Sequence, residues 1–140
     1  MIGFTTKYDC LSSELKNNVS VLSGIDGENR KIASNKVALW DTGANTTVIN
    51  VNLAKELGLV SLGKVSVNTP SGKHEADVYY VDIILPGGST QTLQVCSGYS
   101  SQWDVLIGMD IIGLGDFAIS NYNGKTAFAF RIPSLSDVQF

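Results

Sequence analysis

Short runs of β-branched and aromatic residues, each cut off by a turn-forming cluster, constrain this chain more than any other feature of its sequence. "NNVSVLSG" and "NKVALW" flank "IDGENRK", in which Asp26-Gly27 is a hairpin signal. "KVSVNT" and "ADVYYVDIIL" lie on either side of "PSGKHE", where Pro70, Ser71 and Gly72 favour a tight turn. "GGSTQTLQV" continues after Pro86-Gly87-Gly88, and "FAISN" and "TAFAFRI" flank Tyr122-Asn123-Gly124, again with Asn-Gly at the turn. Helical signals are few. "NLAKELGL" offers Asn52 as an N-cap, apolar residues at 53, 54 and 57, and Gly58 as a stop, while "MDIIGLG" has room for a turn or two. The pattern predicts an all-β fold in one domain over residues 1–140, with no internal repeat and no low-complexity linker.

Composition narrows the functional classes. Apolar residues make up 44% of the chain and charged residues 16%, enough to build a core and too few charges for a disordered tail. A net charge of -3 with scattered Lys and Arg provides no basic stripe for phosphates, so no nucleic acid partner is expected. "MIGFTTKYDCLSSELK" lacks a basic segment followed by a long apolar one, and no apolar run approaches a membrane span. A cytoplasmic protein with no membrane contact is the expectation. Cys10 and Cys96 have no local spacing pattern, so free thiols are expected, with no metal and no cofactor.

One stretch breaks the strand pattern in an informative way. In "VALWDTGANTTVIN", residues 37–50, an apolar run stops at Asp41, Thr42 and Gly43 and turns apolar again at Val48 and Ile49. A carboxylate beside Leu39, Trp40 and Ala44 is expensive to desolvate unless it is hydrogen-bonded, shares a proton or is activated. Taken alone, the tripeptide is short enough to occur by chance and reads as a turn in which the Asp41 side chain bonds to backbone amides. Far downstream, "WDVLIGMDII" runs the apolar pair Leu106-Ile107 directly into Gly108, followed by Asp110. An apolar strand ending in Gly is able to pass close behind such a loop and pack against it.

Together, "ALWDTGANTTVI" and "VLIGMD" resemble the retropepsin-like aspartic proteases, single-domain relatives of pepsin, of the bacterial or cellular type. The resemblance extends over residues 19–131, with the acidic loop, a helix-like segment, a hairpin and the apolar-apolar-Gly motif in the family's order. It implies a closed barrel with one or two short helices, one lobe per chain. It also implies an endopeptidase acting on extended peptide or protein substrates. Two carboxylates sharing a proton around one water are needed for that reaction, yet the chain holds a single acid-Thr-Gly motif. The second carboxylate would come from another copy, so a homodimer is implied, with Asp41 beside its symmetry mate. Two like charges that close do not both ionise comfortably, and the pair holds one proton over an acidic window.

Within this resemblance Asp41 is the catalytic acid, Thr42 locks the two loops together across the axis, and Gly43 presents its backbone. Ala44, Asn45, Gly72 and Ile107 are implied substrate-binding positions. "TPSGKHE" looks like a flap closing over bound peptide, with Gly72 giving it mobility. Trp40 and Ile107 are the candidates for apolar shelter around the acid. His74, the sole histidine, reads as a solvated loop residue. Asn45 and Met109 replace an acid and an arginine that many retroviral members pair. Both ends of that ion pair are absent together, so neither leaves a stranded charge. Asp110 reads as a helix cap or a structural hydrogen-bonding group. The alternative function is a catalytically silent peptide-binding or structural module on the same fold.

Overall fold

A computed structural model describes residues 2–24 and 29–140. The Asp26-Gly27 turn lies outside the described residues. The strands are β1 (Ile2–Lys7), β2 (Lys16–Ser23), β3 (Ile32–Trp40), β4 (Val48–Asn50), β5 (Lys64–Thr69), β6 (Gly72–Ile84), β7 (Thr90–Gly98), β8 (Val105–Ile107), β9 (Asp116–Ser120) and β10 (Ala127–Ile132). Two short helices interrupt them, α1 (Val51–Glu56) and α2 (Met109–Ile112).

The expected all-β barrel is present. Six strands follow the order β2-β3-β8-β4-β7-β6, and β6 pairs again with β2 through Ser20↔Ile84 to Ser23↔Val81, which closes the ring. Closure removes the unpaired edges that an open sheet would expose. β5 hangs outside the ring on β6 alone. The three-stranded sheet β1-β10-β9 packs beside the barrel. Its first strand carries no local signal, because "IGFTTK" acquires a reason to be extended only when Ile2↔Ile132 through Lys7↔Ala127 are paired.

Period-2 alternation explains which side chains enter the core. Val19 and Val21 on β2, Ala38 and Trp40 on β3, and Val105 and Ile107 on β8 are all buried, while the residues between them are not. Trp40 joins barrel to sheet. Its ring lies 5.2 Å from Phe130, 5.3 Å from Phe4 and 5.9 Å from Phe117, distances at which tilted and stacked aromatic pairs add to area burial. The indole N–H is satisfied by Asn17 Oδ1 at 2.8 Å. Phe128 fills the same cluster and is fully buried.

The helix start differs from the Asn52 expectation. Asn50 is the N-cap, its side-chain oxygen accepting from the Asn52 backbone N–H at 2.9 Å. The Asn50 side-chain amide also donates to Ser100 O at 2.7 Å and Trp103 O at 3.1 Å, so tertiary bonds select the earlier asparagine. Gly58, at φ 64, takes the left-handed position that ends the helix. Asn123 and Gly124 both have positive φ, 55 and 71, as a type I′ turn requires, but the turn sits inside a longer connection between Ser120 and Ala127 rather than joining the strands directly. Both cysteines are free thiols.

Substituting Phe128→Ala should remove the aromatic cluster's centre and destabilise the protein by about 3–5 kcal/mol. The measurement is urea denaturation, with the midpoint falling and the m-value unchanged. A loss under about 1 kcal/mol would mean that the cluster collapses onto the vacancy.

Candidate active site

The loop after β3 is held from behind by β8. That strand lies between β3, to which it runs parallel (Ala38↔Val105 to Trp40↔Ile107), and β4, to which it runs antiparallel (Val48↔Leu106, Ile49↔Val105). The chain thus leaves β3, makes the Asp41 loop, and returns as β4 on the other side of the same threading strand. Asp41 N donates to Ile107 O at 2.9 Å, extending the parallel ladder by one bond up to the acid. The loop then tightens, with Ala44 N donating to Asp41 O at 3.2 Å and Gly43 N donating to Asp41 Oδ1 at 2.8 Å. A carboxylate oxygen accepting a backbone N–H within its own turn is fixed in direction.

Gly108 lets this happen. A Cβ there would lie 2.8 Å from the Thr46 carbonyl carbon and 2.9 Å from Ala44 O, so β8 is able to end against the loop only as glycine. Met109 N donates to Ala44 O at 2.8 Å, and Gly108 N donates to Thr47 Oγ1 at 3.1 Å. Thr47 is fully buried and also donates its hydroxyl to Asp110 Oδ1 at 2.6 Å, while Thr47 N donates to Asp110 Oδ2 at 2.9 Å. Asp110 is therefore a structural acceptor. The α2 N-cap is Gly108, without a side-chain bond, and Asp110 lies inside the helix. Burial pushes the neighbouring Cys96 thiol up from its ordinary value, and the Asp110 carboxylate adds to that rise.

The positions singled out in sequence fall into three places. Asp41, Thr42, Gly43, Ala44 and Asn45 share one loop, with Asp41 and Ala44 half-buried and the other three exposed. Gly72 is on a separate element, at the turn of the β5–β6 hairpin with φ 117. Ile107 departs from the substrate-binding expectation, since its side chain is fully buried in the core and it meets the loop through its carbonyl. The β8 residue facing the other way is Leu106, half-buried and paired with Leu39 and Val48, which are half-buried too. The alternation of "VALW" and "VLI" carries this parity, with Leu39 and Leu106 on the face opposite Trp40 and Ile107. Trp40 is buried next to the acid but turns its ring into the aromatic cluster. An open cleft of about 280 Å³ runs along Asp41 and Thr42, lined also by Leu39, Leu15, Glu14 and Ile119.

His74 is exposed at the hairpin turn, its Nε2 2.9 Å from Ser71 Oγ, remote in sequence from the Asp41 loop. Among the described residues no group of three or more His, Cys, Asp or Glu is placed to hold a metal ion. No helix among them is long and apolar enough to cross a membrane.

A strand threading between two others behind an acid-Thr-Gly loop is a specific arrangement, and the comparisons with known proteins agree with it. Residues 31–113 match the family model described as "gag-polyprotein putative aspartyl protease". The chain belongs to this family of aspartyl proteases. Among solved structures it is similar to a retropepsin-like aspartic protease from Rickettsia conorii, with TM-score 0.57 and 12% identity over 91% of this chain and 92% of that one. It is also similar to EIAV protease complexed with the inhibitor HBY-793, with TM-score 0.55 and 19% identity over 76% of this chain and 90% of that one. At such identities the likeness is one of fold, and the fold is retropepsin-like. The comparison with curated proteins returned no match. For this aspartyl protease family member the matched stretch contains the Asp41 loop, β8 and Asp110 together.

Thr47→Val keeps the side-chain shape while removing the hydroxyl shared by Gly108 and Asp110. The buried Gly108 N–H would then lack an acceptor, at a cost of about 1–3 kcal/mol. Chemical denaturation checks this, and an unchanged midpoint would show that the bond triad does not hold the loop.

Proposed function

We propose that the protein is an aspartic endopeptidase whose active site forms when two copies bring their Asp41 loops together around a two-fold axis. The observation that carries this reading is the geometry of Asp41: an acid at the end of a strand, its Oδ1 held by Gly43 N–H at 2.8 Å, on the rim of an open cleft. Family membership supports it. One such loop is present in the chain and the hydrolysis needs two carboxylates, so the second comes from another copy.

In the proposed reaction one carboxylate is ionised and takes a proton from the attacking water, and the protonated partner donates to the developing oxyanion on the scissile carbonyl. The tetrahedral intermediate then collapses as the carboxyl group that took the water's proton delivers it to the amide nitrogen and the C–N bond breaks. Exposed Thr42 is available to bond across the axis. Ala44 and Asn45 flank the acid where an extended peptide would lie, its side chains against the apolar face of Leu39, Val48 and Leu106. The β5–β6 hairpin, exposed along most of its length with Gly72 at its turn, serves as the flap.

Asp41→Asn should abolish cleavage of a peptide library while leaving circular dichroism and the sedimentation profile as in the wild type, because an amide is isosteric but neither accepts nor shares the proton. Near wild-type cleavage by this variant would remove Asp41 from the reaction. Specific activity should also fall on dilution toward the monomer, in step with the dimer fraction followed by analytical ultracentrifugation. Constant specific activity in a fully monomeric sample would contradict the half-site reading.

A further inference from the structure

The β5–β6 hairpin is joined to the barrel at one place. Backbone pairing of β6 with β7 begins at Val78↔Cys96, whereas Gly72 to Asp77 pair only with β5. Asp77 is thus the last residue of the free hairpin and lies beside the first residue of the barrel. β7 lies between β6 and β4, and at this level Cys96 pairs with Val78 on one edge and Val48 on the other, after which Ser97 keeps only its β4 partner, Ile49. The bond that would continue the β6–β7 ladder is made by a side chain instead: Asp77 N donates to Ser97 Oγ at 2.9 Å.

Four further contacts converge there. Lys64 Nζ donates to Asp77 Oδ1 at 3.0 Å, and Ser61 Oγ donates to the same oxygen at 2.9 Å. Leu62 N donates to Val78 O at 2.8 Å, and Val78 N donates to Gly63 O at 3.0 Å. Beyond this root the hairpin is mostly exposed, with Ala76 buried and Val67 half-buried. A lever with little packing along its arm takes its angle from its root.

We infer that Ser97 and Asp77, with Lys64 and Ser61 on the Asp77 carboxylate, form the hinge that sets the angle of the β5–β6 hairpin, and that they act as positioning residues for substrate capture. The inference rests on the flap reading given above. The same two residues link the hairpin to β4, through Ser97, and β4 is the strand that returns from the Asp41 loop. A change of hairpin angle is therefore transmitted through one residue to the strand carrying Val48 and Ile49.

The titratable groups around the clasp are Lys64 on β5 and Tyr79 on β6, both acting on Asp77, and Glu75 on β6, which acts on Lys64, while Ser97 on β7 and Ser61 contribute neutral hydroxyls. The Lys64 ammonium and then the Ser61 hydroxyl hold the Asp77 carboxyl below its usual range. Because the folded value is the lower one, the clasp is present above the ordinary carboxylate range and is lost only as pH falls through the lowered value.

Hydrogen–deuterium exchange on the full chain, with peptide cleavage kinetics in parallel, tests the hinge. Ser97→Ala removes the Oγ acceptor, Asp77→Asn weakens the carboxylate clasp, and Ser97→Thr retains the hydroxyl. In Ser97→Ala the amides of residues 72–77 should exchange severalfold faster while those of the barrel part of β6, residues 81–83, stay as in the wild type. KM should rise severalfold with kcat within about twofold, and Ser97→Thr should restore both. Unchanged hairpin exchange in both Ser97→Ala and Asp77→Asn overturns the hinge, as does acceleration that spreads equally through the barrel. Faster hairpin exchange with an unmoved KM overturns the link to substrate capture. A wild type that cleaves nothing overturns the peptidase reading instead, and the exchange data then decide the hinge alone.

Discussion

The architecture depends on β8 being threaded between β3 and β4. Val105, Leu106 and Ile107 pair in parallel with β3, Val105 and Leu106 also pair antiparallel with β4, and the strand terminates in glycine against the loop it supports. From that placement come the direction of Asp41, through the Ile107 carbonyl, and the tight return to β4, through Thr47 and Asp110. Remove the close approach at Gly108 and neither the turn at residues 41–44 nor the buried hydroxyl network keeps its geometry. A strand so short gains little from its own propensity, so its position is set by burial of Val105 and Ile107 and by ladders on both edges.

The energetic division of labour follows. Stability resides in the barrel and in the aromatic cluster around Trp40, where β3 ends, so the acid is carried on a rigid element even though Thr42, Gly43 and Asn45 are exposed. A polar group placed immediately after a fully packed side chain is positioned by the core without being buried in it. The hairpin that extends over open solvent has the opposite character. Its order comes from one ladder, a turn network of Thr69, Ser71 and His74, and the root at Asp77. Barrel and hairpin therefore differ in local stability within one continuous strand, β6.

What the sequence made legible and what it concealed separate along the same line. Strands with local partners were readable, because a hairpin needs only alternation and a turn: β5 with β6, β6 with β7, and β9 with β10 lie where Pro70-Ser71-Gly72, Pro86-Gly87-Gly88 and Asn123-Gly124 punctuate the chain. The acid loop and the strand behind it were readable through paired motifs far apart in sequence. Features resting on distant partners were concealed. β1 exists because β10 is there to receive it, the barrel closes through β2 and β6, and Asn50 rather than Asn52 caps α1 because Ser100 and Trp103 hold it. On β8 the period of two places Ile107 in the core and Leu106 on the other face, a parity that the motif alone does not display. Nothing local marks Thr47 as buried, and the part played by Ser97 depends on where the β6–β7 ladder ends, at Cys96.

The central claim, that each chain supplies half of one catalytic site, is tested most directly by mixing. Wild type and Asp41→Asn protein are combined in equal amounts well above the dissociation constant, allowed to exchange subunits, and assayed at fixed total concentration. Random pairing leaves about a quarter of the dimers with both carboxylates, so the account predicts about a quarter of the activity of the unmixed wild type. Activity of about one half, proportional to the wild-type protein present, would mean that each chain works alone and would contradict the account.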